Sequence, residues 1–76
     1  MTITYNGKQY SHQQIWALVE ELTSNGVDTS FSCLDGYWWV SVSSSDRCGL
    51  SQVPERTAFR ALGQAIQDME ERKGGA

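Results

Sequence analysis

Asp35-Gly36 stands between two β-prone runs, Thr29-Ser30-Phe31-Ser32-Cys33-Leu34 and Tyr37-Trp38-Trp39-Val40-Ser41-Val42. Both central residues of a type I′ turn need positive φ, and an Asp-Gly pair supplies them, so this is the strongest short-range hairpin signal in the chain. A two-residue turn also sets the register. Leu34 falls opposite Tyr37, Cys33 opposite Trp38, Ser32 opposite Trp39 and Phe31 opposite Val40. Phe31, Cys33, Trp38, Val40 and Val42 then share one face, which reads as core. The other face carries Leu34, Tyr37 and Trp39 near the tip, with Ser30, Ser32, Ser41 and Ser43 behind them. A sheet face otherwise made of serine has no structural need for a Leu, a Tyr and a Trp together. These three residues are the leading candidates for a working surface.

A second hairpin is expected over Thr2–Tyr10, turned by Asn6-Gly7, with Tyr5 opposite Lys8 and Ile3 opposite Tyr10. Ser11-His12-Gln13-Gln14 matches the S-x-x-Q capping box, and Tyr10 and Ile15 stand in the staple positions around it. Ile15, Leu18, Val19 and Leu22 form one helical stripe, with Trp16 at its edge and half exposed. Asn25-Gly26 ends that helix. After the aromatic hairpin, Ser43 to Gly49 reads as a loop and Leu50 to Val53 as a short edge strand. Pro54 suits the first position of a second helix. That helix buries Phe59, Leu62, Ile66 and Met69, with Glu55 near its start and Arg72-Lys73 near its end matching the dipole. Residues 73–76 read as a frayed tail.

The expected order is ββαββα within one α+β domain spanning 1–76. It is a two-layer sandwich: a mainly antiparallel sheet of two hairpins, with both helices on one face. The opposite face is then open, and it is the face bearing Leu34, Tyr37 and Trp39. The alternative is that the N-terminal hairpin, the loop after Ser43 or a second copy covers it. At 76 residues the chain buries only roughly 60% of the surface its unfolded form exposes, so a homodimer is a live expectation.

Nine acids and six bases give a net charge of −3, without the clustered basic face that phosphate-backbone binding requires. Only Arg47 and Lys8 offer positive charge near the aromatic surface. Nucleic acid is therefore not the expected partner, and stacking of a nucleotide ring on the aromatics is a distant alternative. The N-terminus has no charged and hydrophobic leader pattern, no stretch reaches membrane-spanning length, and the expected compartment is the cytoplasm. There Cys33 and Cys48 are free thiols by default, with Cys33 packed as a small hydrophobe.

No catalytic set emerges. His12 is the single histidine and has no Ser-His-Asp or Cys-His spacing to join. One His and two separated Cys do not compose a zinc site. Glu20-Glu21 and Glu70-Glu71 diverge by about 100° around a helix and cannot share a proton. Phosphate-cradling and nucleophile-elbow motifs are absent, so neither a cofactor nor an enzymatic activity is expected. The expected activity is protein binding through Leu34, Tyr37 and Trp39, with Arg47 and Trp16 as flanking contacts.

In size, mild acidity, single α+β domain and lack of catalytic residues, the chain resembles the small phage- or prophage-encoded proteins that block host defences, anti-CRISPR proteins among them. The resemblance covers overall design and no sequence motif, so it carries no functional residue over. It implies stoichiometric binding to a CRISPR effector or another defence complex in the host cytoplasm, obstructing nucleic-acid loading or cleavage. The helix–strand–strand–helix order is also similar to the double-stranded-RNA-binding domain. Pro54-Glu55-Arg56-Thr57 stands where that family carries its basic cluster, and the family is rejected on that ground.

Overall fold

The computed structural model describes residues 1–74, with side chains through Arg72. Among these residues the fold is α+β, with five strands and two α-helices: β1 (Thr2–Tyr5), β2 (Lys8–Ser11), α1 (Ile15–Ser24), β3 (Asp28–Leu34), β4 (Tyr37–Ser43), β5 (Cys48–Leu50) and α2 (Ala58–Gly74). The order is thus ββαβββα and not ββαββα. The two hairpins also do not share one sheet: β1 and β2 pair only with each other, while β3, β4 and β5 form a separate antiparallel sheet in that order.

Both turns take the form that their residues dictate. Asn6 and Gly7 have φ of +53° and +78°, and Asp35 and Gly36 of +54° and +79°. The registers follow, with Tyr5 opposite Lys8, Ile3 opposite Tyr10, Leu34 opposite Tyr37 and Phe31 opposite Val40.

Helix α1 is entered through one 3₁₀ turn, His12–Gln14, and the Gln14 side chain returns to accept the Ser11 backbone N–H at 2.9 Å. It ends in a Schellman motif. The Gly26 N–H donates to the Thr23 carbonyl at 3.0 Å and the Val27 N–H to the Leu22 carbonyl at 2.9 Å. Val27 and Leu22 are both buried, which supplies the apolar contact that accompanies this cap.

One core joins all the layers. Val40 and Val42 from the sheet meet Leu18 and Leu22 from α1, and Phe59, Leu62, Ile66 and Met69 from α2. The N-terminal hairpin contributes Ile3, Tyr5 and Tyr10, and the Tyr5 hydroxyl accepts a hydrogen bond from Asn25 Nδ2 at 3.2 Å. The covered face of the sheet ends at Phe31 and Trp38, both partly buried. Cys33, read as a core residue, is exposed: it lies level with the partly buried Trp38 but on the outer strand, two residues beyond Phe31 toward the turn.

The region between β4 and α2 departs most from expectation. Strand β5 is Cys48–Leu50, earlier than the expected Leu50–Val53, so two of its residues come from the presumed loop. Gly49 explains the placement. A Cβ there would strike the Ala65 carbonyl oxygen and come within 2.6 Å of the Met69 nitrogen, so α2 lies directly on the β5 backbone at the one residue that permits it. The chain then continues along β4. The Ser51 N–H donates to the Val40 carbonyl while the Val40 N–H donates to Ser51 Oγ, both at 2.9 Å. After a detour through residues 52–54, Glu55 exchanges two backbone hydrogen bonds with Trp38, at 2.7 and 3.2 Å.

That bridge holds Glu55 extended and delays the helix. Pro54 therefore sits in the detour and not at the first helical position, and its missing N–H is needed by nothing there. Thr57 caps α2 instead, its Oγ1 accepting the Arg60 N–H at 3.2 Å. The Glu55 carboxylate serves Arg60, at 3.3 Å, and Gln64. Helix α2 runs to Gly74, and the last two residues of the expected tail, Gly75 and Ala76, lie outside the described residues.

Candidate functional site

The hairpin register puts Leu34, Tyr37 and Trp39 on the sheet face turned away from the helices. All three are exposed, Leu34 at 68% and Trp39 at 41% of their full surface. Antiparallel pairing adds a fourth apolar residue, because Leu50 lies opposite Ser41 and so shares its face. Leu50 is 48% exposed. Between Trp39 and Leu50 runs a shallow depression of about 300 Å³, floored by Ser30, Ser32, Ser41 and Ser51.

Tyr37 is held in place from one side. The Arg56 guanidinium stands 4.7 Å from its ring centroid, a cation–π contact that restrains the ring and brings a positive charge to the border of the face. Arg56 reaches this position because the Trp38–Glu55 bridge returns the chain to the β4 edge. The rigid antiparallel ladder beneath leaves the aromatic side chains few degrees of freedom to lose on contact. Uncharged hydroxyls around them offer adaptable hydrogen bonds. Tyr and Trp over a bed of Ser is a composition that antibody-type binding surfaces also use, for the same two reasons.

Two of the five residues expected at the site lie elsewhere. Trp16, 67% exposed, is on α1 and packs against Phe31 with ring centroids 6.2 Å apart, which places it on the helix side of the sheet. Arg47 turns toward α2 and meets Glu70 at 3.6 Å, with its Nη1 buried and lacking a hydrogen-bond partner among the described residues. Leu50 and Arg56 take their places. Leu50 would have emerged from the sequence had the β5 register been known, whereas nothing in the sequence marks Arg56.

A larger groove, about 430 Å³, runs between β1 and α2 beside Gly63. Its charged and amide groups are already engaged: Arg60 and Gln64 with Glu55, Glu70 with Arg47, and Gln67 with Glu71. His12 stacks on Phe59, ring centroids 5.4 Å apart, away from both surfaces. Among the described residues no three His, Cys, Asp or Glu side chains converge on a point that could hold a metal ion, and no helix is long and apolar enough to cross a membrane. What the open face can do chemically is bury apolar area and exchange neutral hydrogen bonds. Comparison with protein-family models, with curated proteins and with solved structures finds no match to this chain.

Proposed function

We propose that the chain is a non-catalytic protein-binding module that engages its partner through the open sheet face, and that it acts as a phage-encoded inhibitor of a host defence complex of the CRISPR type. The observation that carries the binding reading is the cluster of Leu34, Tyr37, Trp39 and Leu50, exposed on a rigid serine-lined face. The inhibitor reading rests on the resemblance in overall design. Two aromatic anchors of this kind each contribute about 2 kcal/mol or more when buried at the centre of an interface, roughly thirtyfold in affinity. A face of apolar groups and hydroxyls, with charge only at its margins in Arg56 and Asp28, suits a protein surface better than a phosphate backbone.

The test is a phage-plating assay in bacteria carrying defined CRISPR systems. Expression of the native chain restores plating of a targeted phage. The Tyr37→Ser/Trp39→Ser variant, shown to be folded by circular dichroism, does not, and it fails to co-purify with the effector that the native chain retains. Failure of rescue in every system, or equal rescue by the variant, rejects the proposal.

A second reading is a homodimeric structural or regulatory protein that uses the same face on itself. It is favoured by the same uncovered apolar cluster in a chain of only 76 residues. In that case the double variant is a monomer with a lowered melting temperature, and the native chain is a dimer.

A further inference from the structure

The two edges of the three-stranded sheet are treated differently. The β5 side is closed. The Leu50 N–H donates to Asp68 of α2 at 2.9 Å, the Gln52 N–H to Gln64 Oε1 at 3.1 Å, and the chain beyond returns to pair with Trp38. Among the described residues the β3 side has no such cover.

The hairpin dictates which β3 groups are left. In a two-residue turn the flanking pair, here Leu34 and Tyr37, is hydrogen-bonded, and bonding alternates along the ladder. Ser32 and Ser30 therefore point their backbone groups toward β4, while Cys33, Phe31 and Thr29 point theirs away from it. The partners across the hairpin obey the same alternation: Trp38 and Val40 send their groups outward to Glu55 and Ser51. Among the described residues no hydrogen bond reaches the outward groups of Thr29, Phe31 or Cys33. Proteins usually blunt such an edge with lysine, proline or a bulge. Asp28–Leu34 contains none of these, and its single charge is Asp28, at the end far from the turn.

We propose that β3 pairs antiparallel with β3 of a second copy about a two-fold axis at Phe31, forming a continuous six-stranded sheet. The edge is self-complementary in that register. Phe31 meets the second copy's Phe31, and Thr29 meets its Cys33, so every outward N–H faces an outward carbonyl. Asp28 falls opposite the second copy's Leu34 and not directly opposite another acid; the nearest acid across the joint is Asp35, which lies beyond Leu34 in the turn. On the helix side the joint is flanked by apolar surface, because the exposed Trp16 lies against Phe31 in each copy. An axis perpendicular to the sheet keeps both open faces on one side, so Leu34, Tyr37 and Trp39 of the two copies stay uncovered, one cluster toward each end of the joint. The inference does not depend on what those residues bind.

The experiment is analytical ultracentrifugation of the full chain. The native protein sediments at twice its 8.5 kDa. Cys33→Lys, which puts a charge at an exposed edge position and leaves the β4 ladder intact, sediments as a folded monomer. Tyr37→Ser/Trp39→Ser remains a dimer, which separates edge pairing from association through the open face. Register is read by mild oxidation in a Cys48→Ser background. Thr29→Cys yields a disulfide between position 29 and Cys33 of the second copy, whereas Cys48→Ser alone, with Cys33 facing Thr29, yields none. A native monomer at all soluble concentrations overturns the proposal. So does a dimer that survives Cys33→Lys, or a Thr29→Cys chain that does not cross-link.

Discussion

Replacing Gly49 by alanine adds one methyl group where α2 rests on β5, and its effect follows from the neighbours that methyl would meet. Its nearest contacts are the Ala65 carbonyl oxygen, the Met69 nitrogen at 2.6 Å and Met69 Cβ at 2.8 Å. None of these can rotate aside, since two are backbone atoms and the third is fixed to a backbone. The helix must therefore lift, and lifting it strips contacts from Ala65, Ile66 and Met69, all buried. Overpacking a well-filled site costs about 1–3 kcal/mol, and a clash with main chain lies at the upper end, so about 3 kcal/mol is expected. A domain of this length has roughly 4–11 kcal/mol of stability in total. The melting temperature should fall by about 12–24 °C.

Gly63→Ala supplies the control, because the chemical change is identical and the surroundings are not. There the new methyl meets side-chain atoms and no main chain, Cγ1 and Cδ1 of Ile3 at 3.2 and 3.3 Å and Met1 Cε at 3.8 Å. Alanine gains about 0.8–1.0 kcal/mol over glycine inside a helix, so this variant should lie between neutral and about 1 kcal/mol more stable. Urea unfolding followed by circular dichroism and tryptophan fluorescence measures both. A Gly49→Ala protein within about 0.5 kcal/mol of the native one would refute the reasoning, since that is the spread of inconsequential surface changes.

Thr57→Ala removes the acceptor for the Arg60 N–H and should destabilise by about 1 kcal/mol in the same urea assay, confirming that α2 is capped at Thr57 and not opened at Pro54. Ser51→Ala leaves the buried Val40 N–H without its acceptor and should cost about 1–3 kcal/mol, more than any change at the exposed Ser30 or Ser32. Cys33 and Cys48 are both free and exposed, so the folded native chain, kept reduced, should titrate two equivalents of a thiol reagent rapidly without denaturant. A single fast equivalent would contradict the exposure of Cys33 at the hairpin tip.

Short-range chemistry is what the amino-acid sequence decided unaided. Asn6-Gly7 and Asp35-Gly36 accept positive φ, a two-residue turn has one register, and strand alternation then assigns every side chain to a face. The exposure of Leu34, Tyr37 and Trp39 follows from that assignment once helices cover the other side. The end of α1 is equally local, because Asn25-Gly26 and the following Val27 complete a cap within six residues.

Everything that depends on how far one element reaches over another was settled only in three dimensions. Whether Cys33 is core or surface turns on what packs over the outer strand at the level of Trp38, which no pattern within the hairpin encodes. The start of α2 looked free to fall at Pro54, and a strand bridge formed across the sheet, Trp38 with Glu55, moved it to Thr57 and Ala58. The same bridge carried Arg56 to Tyr37, and the approach of α2 drew Arg47 toward Glu70 on the far side. Strand β5 is too short to be favoured by its own sequence. It exists because a glycine lets a helix lie against it, a long-range contact whose free energy outweighs any propensity that three residues express.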